Sequence, residues 1–296
     1  MLGFAQLRAF EAVTRTGSFT KAAERLRVTI PAVSLQIRQL EREHGVTLFE
    51  RLGRRVRLTP AGERLRQYAD RIFTLAHDAE RALESTGDFR GTRLRLAATP
   101  TAAGYYLAPF WKRLRRRYPG LQLEVSVHNT RTVRQRLLAL EDDLGMLGGG
   151  TEDGALIVRP FARDTMVAIV SREHPWAKRK AVTLKALGRE PLILREPGSA
   201  GRELVERALR TAGIEPHAVM EMTSTEAIKQ AVEANGGVAV LARAVVQRDV
   251  AGGHLRALAV RGGDLTLRLA FAYHRERANS PLLRAVLDVI VPPRVR

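Results

Sequence analysis

Apolar residues recur at helical intervals from the first positions of the chain. Leu7, Phe10 and Val13 share one face, and Gly17-Ser18 then breaks the run and offers Ser18 as an N-cap. A second short helix is expected over residues 19–26, with Ala22, Ala23 and Leu26 apolar and the alanines small enough for close packing. After a three-residue turn, Thr29 is the expected N-cap of a third helix. Pro31 is tolerated in its first turn, and Val33, Ile37 and Leu40 repeat at the steps of four and three that mark one buried face. The opposite face carries Pro31, Ala32, Leu35, Arg38, Gln39 and Arg42, with Ser34 at its margin, a mixture suited to a DNA major groove and its flanking phosphates. Arg51, Arg54, Arg55 and Arg57 crowd the next segment, where Gly53 marks a bend and Val56 and Leu58 alternate with charge, the pattern of a wing that grips phosphate. The competing reading is a surface helix pair with solvated arginines. Cap, turn, apolar period and basic wing agree in order, which favours the DNA reader.

Thr59-Pro60 has the form of an N-cap followed by proline at the first helical position, and no other proline interrupts the chain to about Thr86. One long helix is expected there. Ala61, Leu65, Tyr68, Ile72, Leu75, Ala79 and Ala82 repeat with a mean period of about 3.5 residues, which makes a seam for another helix. The seam is read as a dimerisation surface carried by Leu65, Tyr68, Ile72, Leu75 and Ala79; the alternative is that it packs on its own domain. Three heptads outrun a small winged helix, and one reader per chain calls for two chains on a palindromic site. Ser85-Thr86-Gly87-Asp88 ends the helix and begins a hinge.

Beyond the hinge the period alternates between strand and helix. Strands are expected over residues 94–97, 121–127, 166–170, 192–194, 238–241 and 267–271, and helices near 106–117, 130–140, 201–211, 225–234 and 281–290. This is an α/β sensor of two lobes. In open α/β sheets ligands collect at the carboxyl ends of strands, where helix N-termini present unpaired N–H groups. Four junctions here are polar and small: Thr99-Pro100-Thr101, His128-Asn129-Thr130, Glu196-Pro197-Gly198-Ser199 and Thr223-Ser224-Thr225. Any one of them is more simply a helix cap, but four in this topology point to a small anion clasped between lobes.

Composition narrows the function further. The 296 residues and 45% apolar content support two or three cores, and no apolar run is long enough for a bilayer. With no charged-then-apolar leader, a cytoplasmic protein is expected. The absence of cysteine excludes disulfides, thiolate catalysis and cysteine-ligated metals. Net charge is +18, but residues 1–90 hold 16 Lys/Arg against 11 Asp/Glu, so most of the excess lies downstream. Lys112, Arg113, Arg115, Arg116 and Arg117 form its densest cluster, read first as a solvated helix face, with a second DNA surface or attraction of anionic metabolites as alternatives. The seven histidines, His44, His77, His128, His174, His217, His254 and His274, are scattered. No HExxH, GxSxG, Walker or GxGxxG motif occurs, and the acidic trio Glu141, Asp142 and Asp143 reads as a helix-end face. An enzyme is not expected, nor are a cofactor or a metal. A transport-type binding protein is a weaker rival because a reader is attached.

The N-terminal motifs resemble the LysR-type transcriptional regulators. They are Phe10-Glu11-Ala12-Val13, Gly17-Ser18-Phe19-Thr20, Ala22-Ala23, Pro31-Ala32-Val33-Ser34, Gln36-Ile37, Leu40-Glu41, Gly45, Leu48-Phe49-Glu50-Arg51 and Leu58-Thr59-Pro60-Ala61-Gly62. The resemblance implies that the helix holding Pro31, Ser34 and Arg38 reads the major groove. DNA contacts are then expected from Thr29, Ile30, Pro31, Ala32, Ser34, Leu35, Arg38, Arg51, Arg54 and Arg55. Ile30 stands where members commonly place glutamine, so it either meets a thymine methyl or packs inward. The resemblance further implies two Rossmann-like lobes as in periplasmic binding proteins. The expected organisation is an all-α winged helix-turn-helix (1–58), a linker helix and hinge (59–90) and an effector domain (91–296). Its first lobe is split, about 91–162 and 267–296, around a second at about 163–266.

Leu194-Arg195-Glu196-Pro197-Gly198-Ser199, Arg202, Met220-Glu221-Met222 and Glu226-Ala227-Ile228-Lys229-Gln230-Ala231-Val232 look like the branch that activates Calvin-cycle (Rubisco) operons and its relatives controlling sulfur assimilation. That likeness implies phosphorylated or otherwise anionic effectors, a cleft lined by Thr99, Thr101, Asn129, Ser199 and Thr225, and Arg195 and Arg202 as counter-charges. With the four junctions, the expected effector contacts are Thr99, Pro100, Thr101, Asn129, Thr130, Glu196, Ser199, Arg202 and Thr225. Two departures stand out: Glu141 lacks the usual preceding glycine, and Asn235 replaces a common glycine, although asparagine tolerates the same left-handed backbone. Expected partners are double-stranded DNA with an interrupted palindrome near a promoter, a small anionic metabolite, further copies of the chain as dimer or tetramer, and RNA polymerase, with no membrane.

Overall fold

The computed structural model describes residues 2–52, 55–84, 88–150 and 154–290, without the side chains of 51, 52, 55, 74, 77, 78 and 81–84. The chain forms two compact units, Met1–Glu84 and Ser85–Arg296. In the first, helices α1 (Phe4–Thr16), α2 (Phe19–Leu26) and α3 (Ile30–His44) are followed by strands β1 (Phe49–Leu52) and β2 (Arg55–Leu58) and the long helix α4 (Pro60–Glu84). The caps act as the side-chain chemistry requires. Ser18 Oγ accepts from Lys21 N at 3.4 Å, and Thr29 Oγ1 accepts from Ala32 N at 3.3 Å, which fixes the start of α3. The wing is a hairpin in which Leu52 pairs with Arg55 and Phe49 with Leu58. Glu41 Oε1 ties α3 to the approach to this hairpin by accepting from Leu48 N at 2.7 Å.

Thr59 locks the wing to α4. Its hydroxyl donates to Thr47 O at 2.6 Å and accepts from Gly62 N at 3.0 Å. A Cβ on Gly62 would lie 2.2 Å from Leu48 O, so this close approach needs glycine for space. Gly62→Ala is expected to force strand and helix apart and to destabilise the reader by about 1–3 kcal/mol, the usual cost of overpacking. A thermal midpoint unchanged from the wild type would contradict that tight contact.

The core of this unit gathers Phe10, Val13, Ala22, Val33, Ile37, Leu40 and Ala69. Helix α4 contributes to it: Ala69 is buried, and Ala61, Leu65 and Phe73 pack alongside, with Phe4 and Phe73 rings 5.2 Å apart. A stripe at four-residue steps winds around a helix of 3.6 residues per turn, so this contact leaves the 3.5-residue seam. Leu65, expected to face a partner, therefore packs against its own reader, whereas Tyr68, Ile72, Leu75 and Ala79 are exposed.

The second unit contains, in order, β3 (Arg93–Ala98), α5 (Pro100–Tyr105), α6 (Leu107–Arg117), β4 (Gln122–Val127), α7 (Thr130–Leu138), β5 (Leu144–Gly148), β6 (Leu156–Val170), β7 (Ala181–Thr183), α8 (Leu184–Leu187), β8 (Leu192–Arg195), α9 (Ala200–Thr211), β9 (Ala218–Met222), α10 (Thr225–Glu233), β10 (Ala239–Ala242), α11 (Arg243–Ala251), β11 (Arg256–Arg261), β12 (Thr266–His274) and α12 (Pro281–Ile290). Its main sheet runs β4-β3-β5-β12-β6-β11-β7, with β10 also on β6; β8 and β9 form a separate parallel pair, and an isolated bridge links Leu192 to Val238, just before β10. Two lobes result, each with its own core. They share β6, a 15-residue strand whose first part pairs with β12 and whose buried end, Met166–Val170, pairs with β10 and β11. The expected lobe boundary at 162/163 thus falls inside a continuous strand. A bulge there leaves Phe161 unpaired in the ladder, and its ring packs on Phe271, Phe110 and Tyr106.

Of the acidic trio, only Glu141 keeps the expected place at a helix end, where it pairs with Arg136 at 2.9 Å. Asp142 and Asp143 are buried: Asp142 pairs with Arg136 at 2.6 Å, while Asp143 accepts from Arg95 N at 2.7 Å and pairs with the buried Arg277. Asn235 adopts φ 60°, the left-handed backbone its position calls for. Lys112, Arg113, Arg115, Arg116 and Arg117 are exposed on α6, with Arg113 and Arg117 stacked over the Phe110 and Tyr118 rings. Among the described residues no helix is long and apolar enough to cross a membrane, and no three His, Asp or Glu side chains gather as metal ligands.

Candidate functional site

Burial of Val33, Ile37 and Leu40 against α1 and α2 leaves the other face of α3 turned to solvent. Thr29, Ile30, Pro31, Leu35 and Arg38 are exposed there, and Ala32 and Ser34 are half-buried at its edge. Ile30 is 44% exposed, which excludes the inward-packing alternative and leaves its side chain available to an apolar base edge such as a thymine methyl. Val28 and Leu35 add exposed apolar surface on either side. Arg38 lies along the helix, its Nε donating to Ser34 O at 3.3 Å. Arg54 and the side chains of Arg51 and Arg55 lie outside the described residues.

In the sensor, the ends of β3, β4, β8 and β9 converge on a cleft that is partly open to solvent. It brings together Thr99, Pro100, Thr101, Asn129, Thr130, Ser199 and Thr225, all anticipated, with Arg195. Glu196 and Arg202 are not part of the lining. Arg202 instead holds Glu206 at 2.7 Å and Glu221 at 2.6 Å, and donates to Arg195 O at 2.8 Å. Burial alone would pull its pKa down, but these carboxylates outweigh burial and raise it. Its charge is therefore compensated within the protein, which removes it as a free counter-charge. The floor, which the sequence did not mark, is apolar: Met166, Val240, Leu241, Val245 and Leu267.

The four junctions differ in what their hydroxyls and amides do. Asn129 caps α7 by accepting from Thr132 N at 3.0 Å, and Ser224 caps α10 by accepting from Ala227 N at 3.2 Å. Thr99 and Ser199 occupy cap positions without a side-chain cap bond, and each is only 7% exposed. Two largely buried residues, one per lobe, thus line the cleft with hydroxyls that make no cap bond, and α9 starts beside one of them with its N-terminal dipole.

The lobes are bridged at both edges of the cleft. On one side Tyr105 Oη donates to Val245 O at 3.1 Å, and Tyr106 Oη donates to Asp164 at 2.9 Å, a carboxylate that also receives Ala244 N at 3.1 Å. Burial and that carboxylate raise the Tyr106 pKa, so its hydroxyl remains a donor. On the other side Arg131 N donates to Gly198 O at 3.1 Å, and Asn129 Nδ2 to Pro197 O at 3.4 Å. Gly198 has φ +90°, and a Cβ there would lie 2.9 Å from Arg131 Cβ, so this edge needs glycine.

An exposed reading helix on a capped helix-turn-helix, joined to a two-lobed sensor with a polar cleft, defines a ligand-responsive DNA-binding regulator. The family described as "Bacterial regulatory helix-turn-helix protein, lysR family" matches residues 4–63, and the "LysR substrate binding domain" family matches residues 87–292. The chain belongs to the LysR family of transcriptional regulators. It is 34% identical to the HTH-type transcriptional activator CmpR of Synechocystis sp., covering 96% of this chain and 93% of that one. It is 33% identical to the RuBisCO operon transcriptional regulator of Allochromatium vinosum, covering 98% and 96%. Among solved structures, a point variant of full-length OxyR from Pseudomonas aeruginosa matches with TM-score 0.78 at 23% identity over 98% of this chain and 95% of that one. The Synechocystis PCC6803 CcmR regulatory domain in complex with 2-PG matches with TM-score 0.62 at 29% identity over 67% of this chain and 95% of that one.

Proposed function

We propose that the protein works in the cytoplasm as a dimer, assembling further to a tetramer, that holds an interrupted palindrome near a promoter and changes its grip when a small anionic metabolite fills the sensor cleft. RNA polymerase is the partner through which that change reaches transcription. The reading face is Thr29, Ile30, Pro31, Ala32, Ser34, Leu35 and Arg38, with Arg51, Arg54 and Arg55 placed by sequence at flanking phosphates. The effector is held by Thr99, Pro100, Thr101, Asn129, Thr130, Ser199 and Thr225. The observation that carries this reading is a pair of largely buried hydroxyl residues, Thr99 and Ser199, lining the cleft from opposite lobes without cap bonds. The related regulatory domain in complex with 2-PG supports an anion of that kind. Self-association is supported by Tyr68, Ile72 and Leu75 exposed along α4, and by Val125 and Val127 on β4 and Val219 and Met220 on β9, apolar positions exposed on the sensor.

Ligand acts only through a difference in affinity between two assemblies, on the order of 1–3 kcal/mol. Arg38→Ala is expected to reduce discrimination between operator and random DNA by about 1–3 kcal/mol while changing binding to random DNA little. Fluorescence anisotropy on both DNAs checks this, and equal losses on the two would remove Arg38 from the reading face.

A further inference from the structure

Arg195 is the one charged side chain lining the cleft among the described residues. It is 9% exposed, and most of its hydrogen-bonding edge is occupied. Nε and Nη2 donate to the two oxygens of Glu196 at 2.8 and 2.9 Å, a fork-to-fork pair with the next residue in the chain. Nη1 donates to Thr225 Oγ1 at 3.3 Å. A hydroxyl oxygen that accepts from a cation still has its own hydrogen to give, and Thr225 lines the cleft. The guanidinium therefore faces the cleft through a relay, Arg195 to Thr225, rather than through its fork. Close by, outside the lining, Arg202 is held between Glu206 and Glu221, so two arginines stand against three glutamates around this side of the cleft.

We propose that Glu196 sets the charge selectivity of the cleft by filling the fork of Arg195. It is a positioning residue that need not touch the ligand: it cancels the one cation in the lining and leaves recognition to hydroxyls and helix-terminal N–H groups. A site built this way recognises a compact anion by its acceptor atoms and gains little from each further negative charge. The same carboxylate repels highly charged ligands that a free arginine fork would bind indiscriminately, so selectivity is obtained at the expense of raw affinity. This rests on the reading of the cleft as the effector site.

The test is isothermal titration of the full-length protein with glycolate, inorganic phosphate and 2-phosphoglycolate, comparing wild type with Glu196→Gln. Glutamine keeps the size and one acceptor for Arg195 but removes the charge. The expected result is a gain that grows with ligand charge, about tenfold for 2-phosphoglycolate and about threefold or less for glycolate, since each ligand charge loses one repulsive neighbour. A gain independent of charge, or a loss for all three, would assign Glu196 a purely structural role and overturn the proposal. Failure of both proteins to bind any of the three would also overturn it, because a freed fork that takes no anion is not selecting among anions. Ser199→Ala separates the two readings. If it abolishes probe binding while Glu196→Gln acts independently of charge, the site stands and the selectivity role falls; unchanged binding in Ser199→Ala would move the site itself.

Discussion

Asp143→Ala is expected to destabilise the sensor by about 3–5 kcal/mol, because it breaks a buried ion pair by removing one member. Asp143 and Arg277 are 2% and 1% exposed, and they pair across 134 residues of sequence. Asp143 also receives Arg95 N within β3, and Arg277 donates to Leu140 O at 3.0 Å, so the pair joins the loop before β5 to the turn after β12. Removing the carboxylate takes the Asp143 anion away from a buried guanidinium and the acceptor away from the β3 amide. For a unit of this size the loss corresponds to a fall on the order of 10 °C in the sensor's unfolding midpoint. Asp143→Asn, which keeps an acceptor oxygen, is expected to fall less. Calorimetry of the two variants checks the order, and a fall of under about 2 °C for Asp143→Ala would contradict a buried, charge-compensating role.

The double variant Thr99→Val, Ser199→Ala is expected to abolish the response to ligand while leaving ligand-free DNA affinity within about twofold of wild type. A hydrogen bond to a charged group contributes about 1.5–3 kcal/mol, so losing two weakens an anion by about a hundredfold or more. Valine and alanine remove hydroxyls that have no cap role here, so the fold is not at risk on that account. Operator binding titrated with the responsive anion measures the effect. A retained response in the double variant would place recognition elsewhere in the sensor.

The reader was legible in the sequence because its signals are local. A cap such as Thr29 and the steps of Val33, Ile37 and Leu40 are set within a few residues of each other, and the structure forms α3 from Ile30 with that cap in place. Leu65 shows the limit: two stripes overlap on α4, and only packing against Phe10 and its neighbours decides which one the reader takes. In the sensor, β6 was read only from Met166. Its earlier half carries Arg159, Pro160, Arg163 and Asp164, which break the apolar run where the strand passes from one lobe to the other. The cleft hydroxyls were legible as strand-to-helix junctions. The compensation of Arg202 by Glu221 and the burial of Asp143 were not, since each depends on a partner brought near only by the tertiary fold.

In the proposed function, a small anion in the sensor changes the grip of the reader on a specific DNA site. Fluorescence anisotropy with the intergenic DNA upstream of the protein's own gene measures this, at two salt concentrations, against random competitor, with and without 2-phosphoglycolate and related phosphorylated and sulfur metabolites. Preference for that DNA over random sequence is expected, with a change of about 5–150-fold in affinity on addition of one anion, the range of a coupling of about 1–3 kcal/mol. Specific binding that no anion alters, or binding no tighter than to random DNA under every condition, would contradict it.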